Sequence, residues 1–237
     1  MILDVLPLLR GARIVLASAS PRRSEMLRSL GLVLRDGGSG GGGGGSGSEG
    51  RASAFEVMPS RFDETLDKQA FASAAEYAKA TAAGKLAEVR ERLLASADAD
   101  ARPLVILSCD TVVEAPSGEI LEKPRDAADA ARMLRLLSGA AHKVHSGVVI
   151  FARGAIVAEF TETTEVDFAQ LPEALIAAHS SSTEVLDKAG GYAIQGRAAS
   201  FVRGIRGDYA NVVGLPLHQV ALRLREVALA FAPAAAP

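Results

Sequence analysis

Apolar residues are distributed along this chain in two rhythms. Ile14-Val15-Leu16, Leu32-Val33-Leu34 and Leu104-Val105-Ile106-Leu107 are short unbroken runs, the pattern of strands buried on both faces. Between them, apolar positions recur every third or fourth residue, which is the pattern of helices with one face on a core. Ser20 and Pro21 mark the cap and first turn of a helix that Gly31 closes. Ser73 with Glu76 is a capping box opening a helix toward Leu94, with Tyr77, Leu86, Val89 and Leu93 on its apolar side and Gly84 as its weak point. Asp126 opens another, carrying Ala130, Met133, Leu134 and Leu137 and ended by Gly139. Pro172 to His179 makes a short helix. Leu217, Val220, Ala221, Leu224, Ala228 and Phe231 form the stripe of the last one, beyond which Ala232 to Pro237 is expected to fray.

The second half is richer in strands. His142 to Ala152 and Ala155 to Phe168 read as strands, the latter as a half-exposed antiparallel ribbon. Val112 to Glu114, the turn Pro116-Ser117-Gly118 and Glu119 to Leu121 read as a hairpin, and Phe201-Val202 and Tyr209 to Val213 as further strands. Helices alternating with buried strands, followed by antiparallel strands, predict an α/β architecture: a mixed twisted sheet flanked by helices.

One segment breaks the pattern. Gly37 to Gly50 is almost entirely glycine and serine, which behaves as a flexible coil and cannot form a packed core. It lacks the Lys-Ser/Thr pair of a P-loop, Rossmann spacing and a following helix. The expectation is a single domain over residues 1–237 with a disordered Gly/Ser-rich insertion at 36–53.

With 237 residues and 49% hydrophobic content the chain can bury a substantial core. A net charge of −2 offers no general attraction to nucleic acid or anionic lipid, so polyanion binding must be local. The single cysteine, Cys109, excludes an internal disulfide framework and suits a reducing compartment. The opening ten residues, broken by Asp4 and Pro7, are too short for a signal peptide or a membrane span. They read as an exposed amphipathic extension of a soluble cytoplasmic protein.

The charges of the first helix run against its dipole. Arg22 and Arg23 occupy a first turn where carboxylates are preferred. Two readings stand: a bound polyanion met by free backbone N–H groups, the Ser18 and Ser20 hydroxyls and both guanidiniums, or two solvated arginines. Asp110 and Thr111 come immediately after a buried strand, where open α/β sheets bind ligands. Arg61-Phe62-Asp63-Glu64 reads as a solvated turn, and Lys85 as a charge on a helix surface. His142 and His145 fall on opposite faces of a strand with no cysteine or third histidine nearby, against a zinc site. A dehalogenase-type phosphatase needs a second aspartate where Val112 stands.

Five segments together carry a resemblance. Ser18-Ala19-Ser20-Pro21-Arg22-Arg23, Ser108-Cys109-Asp110-Thr111, Leu121-Glu122-Lys123-Pro124, Asp187 to Tyr192 with Ile194-Gln195-Gly196, and Gly207-Asp208-Tyr209 running to Gly214-Leu215-Pro216 are similar, in order, to the motifs of the Maf family of nucleoside triphosphate pyrophosphatases. The resemblance implies the Maf fold, two lobes with a central cleft, and hydrolysis of a nucleoside triphosphate to monophosphate and pyrophosphate in a house-cleaning role. It implies Asp110 as the catalytic proton acceptor, and Ser18, Ser20, Arg22, Arg23, Lys85, Thr111, Lys123, Lys188 and Gln195 as substrate contacts. Glu64 and Asp110 become the ligands of a divalent cation, Mg²⁺ or else Mn²⁺ or Co²⁺. Ser-Pro-Arg-Arg, Asp110-Thr111 and Ile194-Gln195-Gly196 resemble the dTTP/UTP subtype, with Thr111 and the Gln195 amide facing a pyrimidine. The chain departs from the pattern at Ser108-Cys109, where Gly-Ala is usual, and at the glycine tract. The resemblance also admits a homodimer, to which the apolar amino terminus would contribute, and an alternative role as a nucleotide-binding regulator of septum formation. Neither nucleic acid nor membrane is expected as a partner.

Overall fold

The unbroken apolar runs become strands of one sheet: β1 (Arg13–Leu16), β2 (Val33–Leu34) and β4 (Leu104–Glu114). The computed structural model describes residues 2–35, 53–96 and 100–232; apart from Ser53, the insertion expected at 36–53 lies outside them, as does all but Ala232 of the expected carboxyl-terminal fray. The remaining strands are β3 (Ala54–Val57), β5 (Ile120–Leu121), β6 (Ala141–Ala152), β7 (Ala155–Phe168) and β8 (Val202–Arg206). The helices are α1 (Pro21–Ser29), α2 (Ala74–Ala95), α3 (Ala127–Leu137), α4 (Glu173–Ser180), α5 (Tyr209–Val213) and α6 (Leu217–Leu229). None is long and apolar enough to cross a membrane.

The eight strands run in the order β2-β3-β1-β4-β6-β7-β8, with β5 on β4. β2, β3, β1 and β4 are parallel, and β4 to β8 are joined antiparallel, so the sheet is mixed as its pattern predicts. β6 covers one edge of β4 from Val105 to Glu114. On the other edge β1 pairs only with Leu104 to Leu107, and β5 only with Val113 and Glu114. Among the described residues, Ser108 to Val112 therefore lacks a neighbouring strand on that side, and the cleft opens onto the gap.

Alternation along β4 sorts its side chains. Val105, Leu107 and Cys109 join the largest apolar cluster with α1, α6 and the amino terminus. Ile106 and Val112 pack toward α2 instead. A second large cluster joins α3, α4 and the β6–β7 ribbon through Leu134, Leu137, Val166, Phe168 and Ile176. Between α2 and the sheet the approach is very close: a Cβ on Gly147, which faces Asp110 across β4 and β6, would meet the Lys79 nitrogen at 2.3 Å. Only a glycine at this position lets α2 lie beside Asp110.

Four expectations are corrected. Tyr209 to Val213 is the helix α5, not a strand: the Asp208 carboxylate accepts from Ala210 N, and buried Asn211 donates to Val144 O and Thr164 Oγ1. Those contacts outweigh the β preference of two valines. The amino terminus is not an exposed extension, because Ile2, Val5 and Leu9 are buried in the main cluster and Leu6–Leu9 forms a 3₁₀ turn. Asp110 and Thr111 lie inside β4 rather than after it, since β4 continues past the end of its parallel partner β1. The capping box of α2 is displaced by one residue: Ser73 accepts from Glu76 N as expected, but the Glu76 carboxylate accepts from Ala72 N.

Candidate active site

One cleft gathers nearly every residue singled out above. Ser18, Ser20, Arg22, Arg23, Glu64, Lys85, Asp110, Thr111, Lys123 and Lys188 all line it, with Ser60, Asp187, Tyr192 and Gly214. The uncovered stretch of β4 explains how neighbouring residues of one strand share a cleft. Asp110 faces α2 and Thr111 the opposite side, toward α1 and α5, and on the edge away from β6 no strand among the described residues lies beside them to separate the two.

On the α2 side the chemistry is a cation between two carboxylates. Lys85 Nζ donates to Asp110 Oδ1 at 2.7 Å and lies 3.0 Å from Glu64 Oε1. The Lys85 and Asp110 side chains are each 9% exposed and that of Glu64 39%, so the first pair is buried and the second faces solvent. The turn at Glu64 thus reaches the site, and Lys85 is a buried partner of Asp110 rather than a surface charge. Among the described residues no group of three or more histidine, cysteine or acidic side chains could hold a metal by itself.

On the α1 side the two arginines divide. Arg23 donates from Nε to the Gly214 carbonyl at 2.8 Å, from Nη1 to Ser18 Oγ at 3.1 Å and from Nη2 to Thr111 Oγ1 at 2.9 Å. It ties the β1–α1 loop, β4 and the end of α5 together. The Thr111 hydroxyl is also hydrogen-bonded to Ser146 Oγ at 2.8 Å, so this expected base contact is already engaged. Arg22 has a different environment: burial lowers its pKa, Asp187 opposes the shift and Arg23 adds to it. A half-buried guanidinium disfavoured by burial and by a neighbouring cation is the condition that a bound anion relieves. Asp187 also pairs with Lys188. Tyr77 donates to Glu122 at 2.8 Å and Lys68 pairs with the other Glu122 oxygen at 2.6 Å, fixing the residue before Lys123.

Gln195 is not in the cleft. It lines an adjoining hollow with His179, Ala193, Gly196 and Arg197, and the two spaces meet at Lys188 and Tyr192. Ser108 and Cys109, where the chain departs from the family pattern, are both fully buried and do not line the cleft. Burial pushes the Cys109 thiol up, and Ser108 Oγ has no hydrogen-bond partner among the described residues. The histidines are separate as expected of opposite faces: His142 shares a hydrogen bond with Tyr192 OH, and His145 with Thr163 and Glu114. Sequence reasoning missed Ser146 and the Gly214 carbonyl as supports of Thr111 and Arg23. Gly214 stands in a motif that the resemblance singles out, whereas Ser146 carries no local signal.

The chain is 42% identical over 220 residues to a human protein named probable bifunctional dTTP/UTP pyrophosphatase/methyltransferase protein, an alignment that spans 90% of this chain and 31% of that one. It is 37% identical over 214 residues to the dTTP/UTP pyrophosphatase of Bacillus thuringiensis subsp. konkukian (strain 97-27), covering 90% of this chain and 95% of the relative. Among solved structures, a HAM1 protein from Coxiella burnetii aligns over 91% of this chain and 99% of its own with a TM-score of 0.44 and 16% identity, too loose a likeness to add to the fold described above. A family model described as Maf-like protein matches residues 48–227, and the chain belongs to that family.

Proposed function

We propose that this chain hydrolyses nucleoside triphosphates between the α and β phosphates, releasing nucleoside monophosphate and pyrophosphate, with UTP and dTTP as its substrates. The observation that carries the reading is that one cleft is lined both by the cations Arg22, Lys123 and Lys188 and by the carboxylates Asp110 and Glu64 around Lys85. Cleaving a phosphoanhydride asks for little covalent chemistry from the protein. It asks for charge to hold the phosphates and a group to orient and deprotonate water.

In this proposal Arg22 holds phosphate oxygens in a fork, Lys123 and Lys188 act as point charges, and Ser18 and Ser20 add hydroxyl and backbone contacts at the start of α1. Arg23 braces Ser18 and Thr111. Asp110 accepts the proton of the attacking water, while Lys85 keeps its carboxylate in position. The Gln195 amide, next to Lys188 and Tyr192, reads a pyrimidine edge by donating and accepting at once.

The donor set suits a divalent ion. Two hard carboxylate oxygens already share one cation, the Lys85 ammonium, and two carboxylates plus substrate phosphates are the usual holding of Mg²⁺. Glu64 and Asp110 would hold it, as Mg²⁺, Mn²⁺ or Co²⁺, and when bound it supplies positive charge for the phosphates and acidifies water. The buried thiol of Cys109 fits work in the cytoplasm.

A screen of the purified protein against common and modified nucleoside triphosphates, with pyrophosphate release as the signal, tests the reading. UTP and dTTP are expected among the best substrates and ATP among the poor ones. Preferential hydrolysis of GTP, 7-methyl-GTP or ITP would overturn the pyrimidine assignment.

A further inference from the structure

Gly84, which the sequence marks only as a weak point in a helix, lies against a specific partner. A Cβ at this position would fall 2.4, 2.6 and 2.8 Å from three carbons of the Phe62 ring. The ring therefore rests directly on the backbone of α2, one residue before Lys85. Neither Phe62 nor Gly84 lines the cleft.

The contact is the last of a series. Gly84, Glu88 and Arg92 are spaced four apart, so they form one stripe along α2. The segment before Glu64 runs along that stripe in the opposite direction. Arg92 Nη2 donates to the Pro59 carbonyl at 2.8 Å. One oxygen of Glu88 accepts from Ser60 Oγ at 3.0 Å and from Arg61 N at 2.9 Å. Phe62 then takes the place beside Gly84, and two residues later Glu64 Oε1 stands 3.0 Å from Lys85 Nζ. Residues 58–67 have no regular secondary structure of their own, and from Pro59 to Phe62 this stripe holds their course.

We propose that Phe62 and Gly84 are positioning residues: the ring seated in the gap left by the missing side chain sets the register of the segment and delivers the Glu64 carboxylate to Lys85 and Asp110. This rests on the reading of Glu64 as a site carboxylate given above. A methyl group at position 84 would lift the ring and move Glu64, while improving the helix itself, because alanine is the better helix former. Stability and activity are thus expected to move in opposite directions. A small side chain at 62 would make room for a methyl at 84.

Steady-state UTP hydrolysis and thermal melting of a variant set test the proposal. Gly84→Ala should melt at or above the wild-type temperature yet lose on the order of 10- to 100-fold in kcat, the cost of a site group misplaced by about an ångström. Phe62→Ala, which leaves α2 untouched, should lose activity in the same range. Phe62→Val combined with Gly84→Ala should recover most of the loss. In a Glu64→Gln background neither Gly84→Ala nor Phe62→Ala should cost anything further, which a merely structural role would not produce. Wild-type kcat in Gly84→Ala, or losses that simply multiply with that of Glu64→Gln, would overturn the proposal while leaving the role of Glu64 intact. Full turnover by Glu64→Gln would overturn the reading of Glu64 itself, and the proposal with it.

Discussion

Replacing Lys85 by methionine keeps the length and most of the packing of the side chain while removing its charge, and its effect can be worked out from three distances and exposures. The ammonium lies 2.7 Å from Asp110 Oδ1, and both side chains are 9% exposed. At an effective dielectric of about 20, such a pair is worth roughly 6 kcal/mol before the cost of desolvating the ammonium is subtracted. Removing one member of a buried pair typically costs about 3–5 kcal/mol, because the other charge stays buried without a partner. The cleft admits solvent to Asp110, which puts the expectation at the lower end, about 3 kcal/mol. Glu64, 39% exposed, adds well under about 1 kcal/mol after screening. Urea unfolding of Lys85→Met at pH 7 measures the loss. The sharper check is the double variant Lys85→Met with Asp110→Asn, which no longer buries a lone carboxylate. It should be more stable than Lys85→Met alone. A loss below about 1 kcal/mol, or no recovery in the double variant, would refute the picture of a buried pair whose members depend on each other.

Two further predictions separate neighbouring residues. Arg23→Ala removes three hydrogen bonds linking Ser18, Thr111 and Gly214 and should lower stability by about 2 kcal/mol together with activity. Arg22→Ala should raise KM for UTP and leave urea stability nearly unchanged; equal stability losses in the two variants would contradict the division between brace and phosphate contact. His142 supplies a pH test. Burial lowers its pKa from 6.5 to about 4, so its neutral form is favoured in the folded state. The stability it lends is complete above about pH 6.5 and is lost as pH falls toward 4, about 3 kcal/mol in all. His145, also lowered by burial against the opposing pull of Glu114, acts in the same direction. His142→Gln keeps a hydrogen-bonding group for Tyr192 and should lose less stability than the wild type between pH 7 and pH 4, by about 2–3 kcal/mol. Parallel urea-stability profiles for the two proteins would show the assignment to be wrong.

Much of this site is written in short stretches of sequence. Ile14 to Gly31 reads as strand, loop and helix, and folds as β1, a loop and α1. The burial of Ala130, Met133, Leu134 and Leu137 follows from their spacing alone. What stayed hidden depends on contacts between distant segments. Arg22 and Arg23 are adjacent arginines of one first turn, and only contacts with Thr111 and Gly214, far along the chain, make one of them a brace. Lys85 looks like any helical lysine until α2 is laid against β4, and that approach needs a bare Gly147. Gly84 reads as a defect because its partner, Phe62, belongs to a segment without periodicity. Tyr209 to Val213 has strand-like residues, yet the cap at Asp208 and the buried amide of Asn211 make it helical. The path of Gln195 into a hollow beside the cleft follows from the turns around it, which residue type alone does not specify.

The fate of the attacking oxygen tests the central claim most directly. Hydrolysis of UTP in water enriched in ¹⁸O, followed by mass analysis of both products, shows which phosphorus is attacked. If Asp110 directs water onto the α phosphate, the label appears in UMP and the pyrophosphate stays unlabelled. Label in the pyrophosphate, or release of UDP and orthophosphate as the first products, would contradict the account.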